Sequence, residues 1–103
     1  MDFISRETIV AEMNESMQSL LDKYSLDDIG VFEEQGEGDT YYLGYTIRKN
    51  GEIYMIHKPF KKNDENQLLI EKQEWIIETD DGDTGGFTNL DEVFATINKG
   101  FTH

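Results

Sequence analysis

Cysteine is absent from this chain, so neither a disulfide framework nor a thiolate metal site holds it together, and no thiol chemistry is open to it. Proline occurs once, at Pro59, and histidine twice, at His57 and His103. No histidine pair stands at metal-ligand spacing, which argues against zinc. The four serines, at positions 5, 16, 19 and 25, have no base placed beside them by any motif, so no nucleophile–base arrangement is visible. No apolar run approaches the roughly 20 residues of a membrane span. The opening residues, Met1 to Glu7, have neither the basic nor the apolar region of a signal peptide. The expectation is a cytoplasmic protein with no catalytic residues and no cofactor, and not an enzyme.

Positive charge is the other scarcity. Nine basic side chains face 22 acidic ones, a net charge of -13 over 103 residues. A field of that sign repels nucleic-acid phosphates and anionic lipid heads, and attracts cations and basic protein surfaces. No nucleic acid and no membrane is therefore expected as a partner. Arg48, Lys49, Lys58, Lys61 and Lys62 crowd into one stretch, with acidic flanks on either side. What the chain does have is large apolar side chains: 12% aromatic and 37% hydrophobic, enough for one folded domain, 1–103, despite 30% charged residues.

Residues 6–24 read as a helix. Ser5 is a good N-cap, Ile4 can staple onto Ile9, and Ile9, Met13, Met17, Leu20, Leu21 and Tyr24 recur at spacings of three and four. Leu26-Asp27-Asp28 ends it, Ile29 to Phe32 starts a short strand, and Gly36 to Asp39 turns the chain. Two β-rich runs, Thr40–Arg48 and Ile53–Phe60, flank Asn50-Gly51, a pair suited to a type I′ hairpin turn because both positions need φ > 0.

A two-residue turn sets Lys49 opposite Glu52, so paired positions sum to 101. One face then collects Ile47 with Tyr54, Tyr45 with Ile56, Leu43 with Lys58 and Tyr41 with Phe60, and this face should meet the helices. The other collects Arg48 with Ile53, Thr46 with Met55, Gly44 with His57 and Tyr42 with Pro59. It should meet solvent or a partner. Pro59, with no N–H, should sit where its nitrogen points out of the hairpin or near the strand end.

Residues 61–66 form a polar loop. The segment 67–79 fits two patterns, and the β-branched and aromatic run Trp75-Ile76-Ile77 favours a strand over a helix. Asp80 to Gly86 reads as an acidic, Gly-rich loop. Thr88 opens the last helix with Asp91 three positions on, Leu90, Val93, Phe94 and Ile97 make its stripe, and Gly100 with Phe101 suits its C-terminal cap. The predicted fold is α+β, in the order α-β-β-β-β-α: a four-stranded antiparallel meander with both helices on one face.

The segment Asp81-Gly82-Asp83-Thr84-Gly85-Gly86-Phe87-Thr88-Asn89-Leu90-Asp91-Glu92 resembles the calcium loop of the EF-hand family. Asp81, Asp83, Asn89 and Glu92 occupy ligand places and Gly86 the glycine place. Gly85 and Thr88 depart from the pattern, and no entering helix precedes it. A strand-to-helix loop shaped by glycines, with Asp91 and Glu92 serving the helix N-terminus, accounts for the same residues. The helix–sheet–helix order also resembles double-stranded RNA-binding domains, but the start of the last helix is acidic where those carry basic residues, so RNA binding is rejected.

Three functions are compatible with these residues. The first is a non-enzymatic protein-binding or regulatory module, using Tyr42, Thr46, Ile53, Met55 and His57 of the second sheet face to meet a protein partner or a second copy in a homodimer. The second is an acidic decoy, a nucleic-acid mimic or immunity-type inhibitor covering a basic surface. The third is a calcium-binding domain using Asp81, Asp83, Asn89 and Glu92, or a small-ligand-binding domain with a pocket between helix and sheet.

Overall fold

The structure, a computed structural model, describes residues 3–70, 74–79 and 82–99. The elements run β1 (Ile4–Ser5), α1 (Arg6–Lys23), β2 (Asp28–Gln35), β3 (Thr40–Lys49), β4 (Glu52–Lys62), β5 (Gln67–Ile70), β6 (Trp75–Thr79), β7 (Gly82–Phe87) and α2 (Leu90–Lys99). The fold is α+β, as expected, but its curled antiparallel sheet has seven strands among the described residues rather than four.

The hairpin is the part the turn chemistry dictates. Asn50 and Gly51 both have positive φ, 54° and 82°, and the β3–β4 ladder runs in the expected register from Lys49↔Glu52 to Thr40↔Lys61. β2 is longer than its apolar run suggested and pairs along its whole length with β3, from Asp28↔Arg48 to Gln35↔Tyr41.

The other side of β4 is shared. Its C-terminal end pairs with β5 through Phe60↔Ile70 to Lys62↔Leu68, and its N-terminal half pairs with β6 through Met55↔Glu78 to His57↔Ile76. The single strand expected over 67–79 is thus two, separated by residues outside those described. Pro59 gives the reason. The pair that closes a two-residue hairpin is hydrogen-bonded, so odd-numbered residues of β4 turn their backbone groups away from β3. Pro59 would present its N–H to the next strand and has none to present. β5 and β6 take the stretches on either side of it.

The expected loop over 80–86 is also overturned. Residues 82–87 form β7, which turns back on β6 through Thr79↔Gly82 and Ile77↔Thr84, with a register shift before Trp75↔Phe87. Gly82 and Gly86 have φ of 128° and 91°, conformations that glycine adopts without strain.

Both helices pack on one side of the sheet. Tyr45, Ile47, Tyr54, Ile56, Trp75 and Ile77 form the core with Val93, Phe94 and Ile97 of α2, and Met13, Met17, Leu20, Leu21 and Tyr24 of α1 close over it. A second cluster of Leu43, Phe60 and Leu68 lies under Ile9, Val10 and Met13. Ser5 caps α1 by accepting from Thr8 N–H at 3.2 Å. Ile4, expected to close over Ile9, pairs with Leu68 in β1 and stays half exposed. α1 ends with Ser25 in the left-handed region (φ 53°), Leu26 N–H reaching Leu21 O and Lys49 Nζ reaching Tyr24 O at 2.6 Å. α2 starts one residue later than expected: Asn89, not Thr88, accepts from the N–H three residues on, and Glu92 reaches back to the N–H and hydroxyl of Thr88. The Gly100–Phe101 cap lies outside the described residues.

Candidate functional site

The sheet face away from the helices is built by strand alternation. β2 places Asp28, Gly30, Phe32 and Glu34 on it, β3 places Arg48, Thr46, Gly44 and Tyr42, and β4 places Ile53, Met55, His57 and Pro59. β6 adds Ile76 and Glu78, and β7 adds Asp83. Among the described residues no helix lies over this face. Ile53 is 57% exposed, whereas its neighbour Tyr54 on the helix side is 5% exposed.

The five residues singled out from sequence do share this face, but they differ in kind. Ile53 is open, Tyr42, Thr46 and Met55 are half-buried, and His57 is only 4% exposed. The cause is Gly44 opposite it. A Cβ on Gly44 would collide with the Ile56 carbonyl oxygen and lie 2.6 Å from the Cα of His57, so the two strands approach more closely here than side chains permit. The imidazole lies between aromatic rings, 5.6 Å from Phe32 in a stacked arrangement and 5.1 Å from Tyr42. Its Nδ1 is buried with no hydrogen-bond partner. Burial pushes its pKa below the ordinary histidine value, against the opposing pull of Glu78, Asp83 and Glu34. His57 is therefore a neutral packing residue under the face. Phe32 and Ile76 extend the same row on β2 and β6, and their strand pairings are non-local, so no sequence pattern marks them.

The face thus has an apolar centre of Phe32, Tyr42, Met55 and Ile76 with Ile53 at one end, edged by Asp28, Glu34, Glu78 and Asp83 and by Arg48 and Lys61. A cavity of about 50 Å³ among Asp28, Thr46, Ile47, Arg48 and Ile53 opens beside it. That volume is far short of the roughly 300–1,000 Å³ of a metabolite-sized pocket.

The other candidates are dispersed. Alternation splits the basic stretch: Arg48 and Lys61 fall on the uncovered face, and Lys61 lies 3.7 Å from Asp39. Lys49, Lys58 and Lys62 fall on the helix side, where Lys58 sits over Trp75 and Lys62 over Tyr41. Of the calcium-loop residues, Asp81 lies outside the described residues, Asp83 pairs with Glu78 in β7, and Asn89 and Glu92 are engaged in capping α2. Among the described residues no group of three or more Asp, Glu or His is disposed to hold a metal ion. Nor is any helix among them long and apolar enough to cross a membrane.

Taken together, these features define a small α+β domain with one covered and one uncovered sheet face. Residues 3–97 match the model of DUF5634, described as a family of unknown function, and the chain belongs to that family. No curated protein matches it.

Proposed function

We propose that this chain is a non-enzymatic protein-binding domain that presents its uncovered sheet face to a basic partner. The supporting observation is an apolar centre, half-buried and reaching 57% exposure at Ile53, with the carboxylates of Asp28, Glu34, Glu78 and Asp83 at its margin against the cations of Arg48 and Lys61. Apolar surface with a polar rim is the usual anatomy of a protein interface. Four carboxylates at its margin against two cations, on a chain of net charge -13, favour a different, positively charged protein over a second copy as the partner.

The decoy reading lacks support, since carboxylates also line the outer side of α1 at Glu12, Glu15 and Asp22, far from a single anionic face. The test is crosslinked capture from the native cell with the wild-type chain and with an Ile53→Glu, Met55→Glu variant. A basic protein held by the wild type, released by salt and missing from the variant is the expected result. Identical capture by both chains, or a dimer in light scattering, overturns the proposal.

A further inference from the structure

The sheet has three free edges among its described residues, and they differ in how they are protected. β1 is only two residues long. β7 is broken by a register shift and by two glycines with positive φ, and most of it is exposed. Bulges and short strands are the ordinary means of blunting an edge. β2 has neither. Its eight residues pair with β3 in unbroken register, and no strand lies on its outer side. It contains no proline and no lysine, the residues that most often guard an exposed edge. Alternate backbone groups of such a strand point outward and accept another chain, although here the Ile29 N–H is met by its neighbour Asp28 Oδ1 at 2.9 Å and must be released for pairing at that place.

The side chains of β2 say which chain. On the uncovered face they read Asp28, Gly30, Phe32, Glu34: a carboxylate at each end, an aromatic ring, and at Gly30 open space, since a Cβ there meets nothing within 4 Å. Asp28 and Glu34 are both exposed, while Phe32 is half-buried against His57. A second copy laid antiparallel about Val31 would set Asp28 opposite Glu34 at both ends, and like charges directly opposite each other destabilise a sheet. A segment with cations at those two places and an apolar residue between them has complementary charge throughout.

We infer that β2 is a docking edge, which an extended basic segment of another protein joins as an added strand, its apolar residue lying beside Phe32. This rests on the reading of the uncovered face as a partner surface and adds the mode of attachment. Main-chain pairing supplies the hold and the Asp28 and Glu34 carboxylates the choice of partner.

The test follows backbone amide shifts and hydrogen exchange of the full chain during titration with a seven-residue peptide that has lysine at both ends, valine at the third and fifth places and threonine elsewhere, so that lysines and valines share one strand face. The same peptide with glutamate in place of lysine serves as control. The expected result is saturable shifts and slowed exchange along Asp28–Gln35, weakened roughly tenfold or more by moving from low to physiological salt. The Asp28→Lys, Glu34→Lys variant changes two exposed side chains, and its preference should reverse, with the glutamate peptide bound and the lysine peptide released. That reversal separates lost recognition from lost folding. Shifts confined to Ile53, Met55 and Ile76 overturn strand addition and leave the face as the partner surface. Equal binding of both peptides, or no saturable shift, overturns the docking edge.

Discussion

Tyr54 and Ile53 are neighbours in one strand, yet one lies beneath two helices and the other in solvent. The two faces of the β3–β4 hairpin differ by a single residue of phase. Both carry large apolar side chains, so hydropathy along the strand does not by itself tell a core face from a docking face. What separates them is what the rest of the chain has available to cover them. The stripes of α1 and α2 are both used on the Tyr54 side, by Met13, Met17, Leu20, Leu21 and Tyr24 and by Val93, Phe94 and Ile97. Nothing among the described residues is left for the other side, and its apolar centre keeps a charged margin instead.

That contrast is easiest to break from the covered side. Phe94 is 1% exposed and stacks on Tyr24 at 3.9 Å between ring centroids. Phe94→Ala should cost about 3–5 kcal/mol in urea unfolding, through lost burial and the cavity left behind. Next is the point where the two faces share a constraint. Gly44→Ala should cost about 3 kcal/mol, because its Cβ has no room against the β4 backbone, and the amide shifts of His57 and Phe32 should move with it.

His57 sharpens the comparison, since it is the polar group buried on the otherwise open side. His57→Phe keeps a ring between Phe32 and Tyr42 and removes the unpartnered Nδ1, so stability should rise by about 1 kcal/mol. The same substitution should change the pH profile. Folded His57 resists protonation because it is buried, whereas in the unfolded chain it titrates near its ordinary value of about 6.5. As pH falls through that value the unfolded state binds a proton that the folded state does not, and stability drops. The drop levels off below the folded pKa of His57. At lower pH the loss passes to carboxylates such as Glu33, whose pKa the Arg6 guanidinium holds down. The variant should lose the upper leg of this profile and keep the lower one. The smallest effect belongs to Ile53: Ile53→Ala should shift stability by no more than about 0.5 kcal/mol, as expected of an exposed side chain away from the core.

The parts of this molecule that were readable from sequence are those whose determinants are local. Asn50-Gly51 imposes the turn, the turn imposes the register, and the register sorts Tyr45 and Ile56 from Met55 and His57 without reference to the rest of the chain. The helices were readable from their stripes, and the start of α2 to within one residue. The failures are non-local or conformational. Pro59 was recognised as a gap in the ladder, but that it divides β5 from β6 depends on both of those strands returning to β4. β7 was hidden because Gly82, Gly85 and Gly86 have low strand propensity, and their place in the sheet comes from pairing with Ile77 and its neighbours. The end of α1 carries Ser25 in a conformation usually given to glycine, so composition did not announce it. Of the candidate site, the hairpin's share was legible. The contributions of Phe32, Ile76, Glu34, Glu78 and Asp83 depend on which strands lie side by side.

The division of β4 between β5 and β6 also sets an order in time. As the chain leaves the ribosome, β2, β3 and β4 can complete their three-stranded unit once residue 62 is available, all of it from neighbouring segments. The Arg6–Glu33 ion pair, with Arg6 Nη2 at 2.6 Å from the carboxylate, can tie α1 to that unit at the same stage. Trp75, Ile77 and Phe94 arrive only afterwards, so Tyr45, Ile47, Tyr54 and Ile56 stay incompletely covered until the last third of the chain has been made. For that interval the nascent chain carries exposed apolar surface on both sides of its sheet, and only the side that will hold the core is later closed by its own residues.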